Sequence, residues 1–186
     1  MTNNPAIKVA VFGSSQPKEG SRPYEDAREV GAALAGAGLT VVSGGYRGVM
    51  EAASRGAKEA GGSTIGITTA FFDGKILPAN QWVDREVKMD SYAGRLLKLA
   101  EICDAYIVMR GGSGTLSEFF LVWELVKNGS VPLRPIVLFG DHWQRIMNFL
   151  AEELADELSF AKHMQLLKIT RNLDEMIRHI EEQIAQ

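Results

Sequence analysis

Residues 105–127, AYIVMRGGSGTLSEFFLVWELVK, contain the pattern that decides the fold of this chain. The first five residues are all apolar, which is typical of a strand that is buried on both faces of a sheet. A glycine turn follows at 110–115, and residues 116–127 have the length of a helix. A buried strand that leads through a glycine turn into a helix is the repeating unit of a parallel α/β sheet.

The same succession of strand and helix recurs along the rest of the chain. Short apolar segments predict strands at residues 7–13, 39–43, 63–68, 105–109 and 135–139, with a further candidate at 166–170. Helices are predicted at about 24–37, from Gly48 to Gly61, and at 87–102, 116–127, 143–153 and 173–184, the last with Asn172 as its cap. Residues 69–86 lack periodicity, and we expect them to form an irregular loop over a site.

This order of elements predicts the fold class. Strands that alternate with helices need crossover connections, which are almost always right-handed. We therefore expect an α/β fold in which a doubly wound parallel sheet carries helices on both faces. The chain has 186 residues, close to the usual size of one domain, and no internal repeat or linker, so we expect a single domain over residues 1–186.

The composition argues against several classes of protein. Twenty Lys and Arg against 23 Asp and Glu give a net charge of −3, whereas a general nucleic-acid-binding protein carries a basic surplus. The single cysteine, Cys103, excludes a disulfide within the chain, and the three histidines form no metal-binding pair. The first residues do not resemble a signal peptide and no apolar run could span a membrane. We therefore expect a cytoplasmic protein without a metal and without a nucleic-acid or membrane partner.

Small residues follow three of the predicted strands, as Gly13-Ser14-Ser15, Ser43-Gly44-Gly45 and Gly111-Gly112-Ser113-Gly114-Thr115. Ligands of open α/β sheets bind at these carboxyl ends, where glycines and a helix N-terminus suit a phosphate. One such turn is often only a tight turn, but three at one edge predict an anion site. None matches the fingerprints GxGxxG or GxxxxGK[ST], which disfavours a nicotinamide enzyme or a nucleoside triphosphatase.

Two blocks of the sequence resemble the signature of a known family. SGGYRGVMEAASRGAKEAGG at 43–62 and RGGSGTLSE at 110–118 are similar to the GGGxxGxM and PGGxGTxxE blocks of the LOG (LONELY GUY) family. The resemblance covers residues 9–138 in order. It implies a Rossmann-like fold, shared with molybdenum-cofactor carrier proteins, and a homodimer. Some relatives have been labelled possible lysine decarboxylases, but no lysine here has the context of a pyridoxal phosphate Schiff base.

The resemblance also implies an activity and a set of site residues. LOG enzymes cleave the N-glycosidic bond of a cytokinin nucleoside 5′-monophosphate to give the base and ribose 5-phosphate, and many relatives act on AMP-like nucleotides; no cofactor is implied. The implied catalytic residues are Glu118, which closes the second block, and Arg95, which stands 15 residues before Arg110. The implied substrate- and phosphate-binding residues are Gly13, Ser14, Ser15, Ser43, Gly44, Gly45, Gly48, Met50, Gly111, Gly112, Ser113, Gly114 and Thr115.

The chain departs from the family pattern at three positions. Arg110 replaces the proline of the second block, Leu96 replaces the lysine after the catalytic arginine, and Ser43 replaces the first glycine of the first block. The prediction therefore keeps two functions open. One is a nucleoside monophosphate phosphoribohydrolase, and the other is a carrier that holds a nucleotide or the molybdenum cofactor without cleaving it.

Cleavage of a ribosyl C–N bond explains why a carboxylate is expected in the site. Positive charge develops on the sugar, and a carboxylate such as Glu118 can stabilise it and orient or deprotonate the attacking water. The alternative for Glu118 is a solvated glutamate in the first turn of a helix, and for Arg95 an ordinary surface arginine. Tyr46, Arg47 and Glu51 are further candidates for contact with base, ribose or phosphate.

Overall fold

The protein forms one parallel sheet between two layers of helices in a computed structural model that describes residues 6–70, 77–157 and 160–185. Its strands are β1 (Lys8–Phe12), β2 (Thr40–Ser43), β3 (Thr64–Thr69), β4 (Arg85–Met89), β5 (Ala105–Val108), β6 (Ile136–Phe139) and β7 (Leu167–Thr170). Its helices are α1 (Arg22–Gly36), α2 (Val49–Glu59), α3 (Tyr92–Ile102), α4 (Ser113–Lys127), α5 (His142–Glu153), α6 (Phe160–Met164) and α7 (Leu173–Ile184). None of the helices in these ranges is long and apolar enough to cross a membrane.

The strand order confirms the predicted doubly wound sheet. The strands lie in the order β4-β3-β2-β1-β5-β6-β7, and every neighbouring pair is parallel. The chain builds outward from β1 to β4, then returns to the other side of β1 with β5. The direction of winding thus reverses between β1 and β5, where Phe12 pairs with Val108. Ligands of such sheets bind in the crevice at this reversal, beyond the carboxyl ends of the strands.

Alternate residues of the central strands supply two apolar layers. Val9 and Val11 of β1 pack with α1, α2 and α7 on one face, whereas Ala10 and Phe12 pack with α3, α4 and α5 on the other. This follows from the two-residue period of a strand, which sends successive side chains to opposite faces. The apolar helix α4 buries Phe119 in the second layer, so it is mainly a core helix.

The segment before α3 differs from the sequence prediction. We expected residues 69–86 to be irregular and a helix to begin at 87, but residues 85–89 form the edge strand β4, which pairs with β3. In this strand Arg85, Glu86 and Lys88 are exposed while Val87 and Met89 pack on the second apolar layer. Charged side chains on an edge strand are common because they prevent pairing with another chain. Residues 71–76 of the expected loop lie outside the described residues.

Two helix starts are fixed by side-chain caps. Ser91 accepts a hydrogen bond from the Gly94 N–H at 3.0 Å, which sets the first turn of α3 at Tyr92. The predicted cap of α7 is confirmed, because Asn172 Oδ1 accepts from the Glu175 N–H at 2.9 Å. The cap at Ser91 matters for the site, since it determines where the side chains of Tyr92 and Arg95 emerge.

Candidate active site at the ends of β1 and β5

A cavity of about 260 Å³ opens at the reversal point between β1 and β5. It lies between the turn that follows β1, the start of α4 and the first turns of α3. The residues that line it are Gly13, Ser14, Ser15, Gln16, Met50, Tyr92, Arg95, Gly112, Ser113, Gly114, Thr115 and Glu118. The structure therefore brings both predicted catalytic residues and the turn at 112–115 together around one cavity.

The turn at 111–115 is built as the open N-terminus of α4. The helix begins at Ser113, and its N-cap Gly112 offers no side-chain cap, so the first backbone N–H groups have no side chain to accept from them. Such a helix start attracts an anion through these N–H groups and the helix dipole. Thr115 is 3% exposed and lines the same cavity.

The turns that follow β1 and β5 are held together by close backbone packing. A Cβ at position 111 would overlap Thr115 Oγ1 and stand 3.0 Å from the Ser14 nitrogen, so only glycine fits there. The Ser14 N–H donates to the Arg110 carbonyl at 3.1 Å. Gly111 is therefore a support of the cavity rather than part of its lining.

Arg95 and Glu118 form an ion pair in the interior. Their Nη1 and Oε1 atoms are 3.4 Å apart, and the residues are 2% and 9% exposed. Arg95 is oriented by a second hydrogen bond, in which its Nε donates to the Ile67 carbonyl at 2.8 Å. These contacts exclude the alternative interpretations from sequence, an exposed arginine and a solvated first-turn glutamate.

Burial dominates the ionisation of Glu118. Removal from water raises the pKa of its carboxyl to about 7, although the charge and the hydrogen bond of Arg95 act in the opposite direction. A carboxyl with a pKa near neutrality exchanges its proton readily at physiological pH. Glu118 thus has the ionisation expected of a general acid or base.

Gly44 makes room for the arginine. A Cβ at position 44 would overlap the Nη2 atom of Arg95, so a larger residue would displace the guanidinium. The guanidinium also lies 5.7 Å from the ring centroid of Tyr46 and 5.9 Å from that of Tyr92. Gly44 therefore bears on the site through Arg95, and its role in binding substrate or phosphate, implied by the family resemblance, stays a prediction.

The remaining residues of the first glycine block lie behind the cavity. The Ser43 hydroxyl accepts from the Gly45 N–H at 3.1 Å and lies 3.3 Å from the Ser54 hydroxyl. The backbone of Gly48 packs against Ser14 and Ser15. Ser43, Gly44, Gly45 and Gly48 do not line the 260 Å³ cavity, whereas Met50, the last predicted residue of this block, does.

Tyr92 is a cavity residue that the sequence analysis did not identify. It is 44% exposed, and its hydroxyl lies 3.6 Å from where a Cβ of Gly114 would stand. That hydroxyl has no hydrogen-bond partner within residues 6–70, 77–157 and 160–185. Burial, followed by the Glu118 charge, raises the pKa of the Tyr92 phenol, which keeps it protonated as a donor. Gln16 was also missed, because no motif contains it.

A second cavity of about 370 Å³ adjoins the first and shares Ser15 and Gln16 with it. Tyr46, Arg47 and Glu51, the further candidates from the sequence, line this neighbouring space. A ligand bound at residues 112–115 would thus have room to extend past Gln16 into the second cavity. Among the residues that the structure describes, no group of three or more His, Cys, Asp or Glu side chains is arranged to hold a metal ion.

Comparison with known proteins gives one family and several named relatives. The model of the SLOG cluster4 family matches residues 6–167. A cytokinin riboside 5′-monophosphate phosphoribohydrolase of Mycobacterium tuberculosis is 36% identical over 116 residues, which are 62% of this chain and 61% of that enzyme, less than two thirds of its length. An enzyme of the same name from Mycobacterium marinum is 31% identical over 174 residues, 91% of each chain.

A solved structure extends the likeness over nearly the whole chain. The molybdenum cofactor binding protein of the phototrophic bacterium Rippkaea orientalis is 27% identical, with a TM-score of 0.70 over 98% of both chains. The resemblance carried by the two glycine blocks is confirmed by the family match and the named relatives. These relatives divide between enzymes named for the hydrolysis of a nucleotide and a protein named for binding a cofactor, the two functions that the sequence leaves open.

Proposed function

Because the chain belongs to the SLOG cluster4 family, we propose that it is a nucleoside 5′-monophosphate phosphoribohydrolase. It hydrolyses the N-glycosidic bond of AMP-like or cytokinin nucleotides and releases the base and ribose 5-phosphate. The observation that carries this proposal is the buried Arg95–Glu118 pair, which shares one cavity with the turn at 112–115. The named phosphoribohydrolases at 36% and 31% identity support it.

The turn at 112–115 binds the 5′-phosphate in this proposal. The uncapped N-terminus of α4 supplies backbone N–H groups and the positive end of the helix dipole. The Thr115 hydroxyl adds a donor from the cavity wall, and the Tyr92 hydroxyl adds another beside Gly114. A nucleoside without its phosphate loses these contacts and is a poor substrate.

Glu118 carries out the chemical step on the ribose. It lies one helical turn beyond Gly114, so a phosphate at the helix start places the sugar near its carboxylate. As the C–N bond lengthens, the carboxylate stabilises the oxocarbenium-like sugar and accepts a proton from the attacking water. The water oxygen bonds to the anomeric carbon, and the bonding pair of the C–N bond leaves with the base. The proton that Glu118 took from the water then passes to the base, which restores the carboxylate.

Arg95 positions Glu118 and the nucleotide. Its Nε is held by the Ile67 carbonyl, so its terminal nitrogens are fixed toward Glu118 and the cavity. A fixed cation beside the reacting carboxylate keeps part of that carboxylate ionised and aids departure of an electron-rich base. The base extends toward Gln16 and the adjoining 370 Å³ cavity, which gives a prenylated base additional room.

A carrier function is the second candidate, favoured by the likeness to the molybdenum cofactor binding protein at 27% identity over 98% of both chains. A carrier needs the same phosphate-binding turn, but it has no need for a carboxyl with a pKa near 7 beside a fixed arginine. The Arg95–Glu118 geometry therefore favours the hydrolase.

We also propose that the chain is a homodimer through the outer faces of α3 and α4. Leu97 and Phe120, on these two helices, are 46% and 41% exposed. Sedimentation of wild type and of Phe120→Asp tests this proposal. Wild type is expected as a dimer and the variant as a folded monomer, whereas a monomeric wild type contradicts the proposal.

A substrate panel tests the function. Purified protein is incubated with AMP, other nucleoside monophosphates and a prenylated AMP, each beside its own nucleoside, and free base is quantified. The proposal predicts base release from at least one monophosphate and little from its nucleoside. Nucleotide binding without base release from any of them supports the carrier instead.

A further inference from the structure

A third cavity, about 780 Å³ in volume, lies on the other side of the turn at 110–115. It opens at the carboxyl ends of β5, β6 and β7, beneath the first residues of α1 and α7. The proposed substrate cavity lies instead between α3 and α4. The two share none of their lining residues, and a smaller groove lined by Ser14, Gln16, Pro23 and Arg110 lies between them. The larger cavity is thus a neighbouring space of the size that small-molecule ligands occupy.

Two arginines and a histidine define one end of this cavity. Arg110 and Arg145 both line it, and neither forms an ion pair with another described residue. His142 lines the same cavity: burial, followed by the charges of Arg110 and Arg145, lowers the pKa of its imidazole. The Nε2 atom of His142 is buried and has no hydrogen-bond partner within the described part of the chain.

The remaining charges of the cavity are paired or lie elsewhere on its wall. Arg171 is bound to Asp141 at 3.0 Å, and Arg22 is 4.0 Å from Asp26. Glu29 and Asp174, on α1 and α7, complete the charged lining. Neither of these two carboxylates is among the groups that act on His142, whereas Asp141 weakly raises its pKa. The cavity therefore has a cationic end and carboxylates that can accept hydrogen bonds from hydroxyl groups.

The backbone at the cationic end is fixed by Gly140. This residue has φ of +118°, and a Cβ there would lie 2.8 Å from His142 Nδ1. Only glycine allows both this backbone conformation and the imidazole against it. The position of His142 beside Arg110 and Arg145 is thus set by the end of β6.

We propose that this cavity is a second binding site, for a phosphate monoester that carries hydroxyl groups, such as a sugar phosphate. Arg110 and Arg145 bind the phosphate, and Glu29 and Asp174 accept hydrogen bonds from the hydroxyls. Arginine suits phosphate because its planar guanidinium donates two parallel hydrogen bonds. Arg110 has no role in the proposed hydrolysis, so this second site gives it a function.

The second site is connected to the substrate cavity through the backbone. The Arg110 carbonyl accepts from the Ser14 N–H at 3.1 Å, and Gly111 follows directly in the chain. A phosphate that draws in the Arg110 side chain therefore acts on the turn that binds substrate. A sugar phosphate at this site regulates the substrate turn without occupying it.

Ribose 5-phosphate binding to the full chain, followed by NMR of the imidazole rings, tests the second site. The chain has three histidines, and His142→Gln assigns the signal of interest. In wild type, saturating ribose 5-phosphate is expected to raise the pKa of His142 toward its ordinary value, because the anion offsets the two arginines. Inorganic phosphate, as a second probe, is expected to bind more weakly because it has no hydroxylated part.

Matched variants separate the two cavities. The double variant Arg110→Gln/Arg145→Gln is expected to bind ribose 5-phosphate about tenfold or more weakly, as followed by the His142 signal. The reason is that each arginine contributes charge-assisted hydrogen bonds. The control double variant Lys98→Gln/Arg178→Gln also removes two positive charges, but outside both cavities, and should leave the affinity for ribose 5-phosphate unchanged. Thr115→Val should also leave it unchanged, which separates this site from the proposed substrate turn. The proposal is overturned if the His142 signal does not change when ribose 5-phosphate is added. It is also overturned if Arg110→Gln/Arg145→Gln and wild type bind ribose 5-phosphate with equal affinity.

Discussion

The guanidinium of Arg95 and the carboxylate of Glu118 lie 3.4 Å apart at the base of the cavity, where they join α3 to α4. Burial of two charges is costly, and an ion pair in the interior often adds little stability compared with apolar residues. A pair that persists there beside the open N-terminus of α4, the proposed phosphate-binding turn, is better explained by chemistry than by folding. Perturbed carboxyl groups of this kind cluster at functional sites.

The first prediction is a rise of activity with pH. If the ionised Glu118 carboxylate is the active form, kcat/KM for AMP hydrolysis falls about tenfold per pH unit below pH 7 and levels off above it. The sign follows from the raised pKa, because below about 7 most of the carboxyl is protonated. The measurement is kcat/KM from pH 5 to 9. AMP binding is measured over the same pH range, so that the effect of protonating the AMP phosphate can be distinguished from the effect of protonating Glu118. A profile that falls as the pH rises through 7 contradicts this role.

Arg95→Lys is expected to lower kcat/KM by about ten- to a hundredfold, the loss of one or two charge-assisted hydrogen bonds. Lysine keeps the charge but has no planar group that can bind the Ile67 carbonyl and face Glu118 together. Steady-state kinetics measure the loss, and thermal unfolding checks that the variant is folded. Arg178→Lys, an exposed substitution of the same kind, is the control. If Arg95→Lys has the same kinetics as wild type, catalysis does not depend on the fixed orientation of the Arg95 guanidinium.

Thr115→Val is expected to raise KM for AMP about tenfold with a smaller change in kcat, because it removes one hydroxyl donor from the proposed phosphate site. The side chain keeps its shape, so the buried packing at this position is retained. Ser130→Ala removes an exposed hydroxyl just beyond the C-terminal end of the same helix and should leave KM unchanged. A Thr115→Val enzyme with unchanged KM places the phosphate elsewhere.

Tyr92→Phe tests a residue that no sequence motif indicated. Loss of the hydroxyl beside Gly114 is expected to raise KM for AMP about three- to tenfold while kcat changes little. Tyr92→Leu also removes the ring that lies 5.9 Å from the Arg95 guanidinium, so kcat should fall as well. The comparison of KM and kcat in the two variants is the measurement. Equal kinetics in both variants and wild type would exclude contact with substrate.

Local patterns were enough to predict much of the fold. Residues 105–127 form the strand, turn and helix that their pattern indicates, and the buried segments of β1 to β3 lie where their apolar runs are. Strand β4 was missed because its mixture of charged and apolar residues fits an exposed edge strand and a helix equally well. Such ambiguity is resolved only by the neighbouring strand, which lies outside the local sequence.

The sequence predicted those site residues that belong to recognisable motifs. Glu118 and the turn at 112–115 belong to one block, and the resemblance to the family pattern implied Arg95, 15 residues before Arg110. The sequence could not show that Gly44 accommodates the Arg95 guanidinium, or that Tyr92 faces Gly114, because these contacts join different elements. The pKa of Glu118 likewise depends on burial by residues that are distant in the chain.

Base release from AMP by wild type and by Glu118→Gln, measured side by side at pH 8, tests the central claim most directly. The substitution keeps the size of the side chain and removes the charge that the proposed reaction needs. We predict release of adenine with an equimolar amount of ribose 5-phosphate by wild type, a loss of about 10²–10⁴-fold in the variant, and AMP binding in both. Equal release by the two proteins, or none by wild type with AMP bound, contradicts catalysis by Glu118.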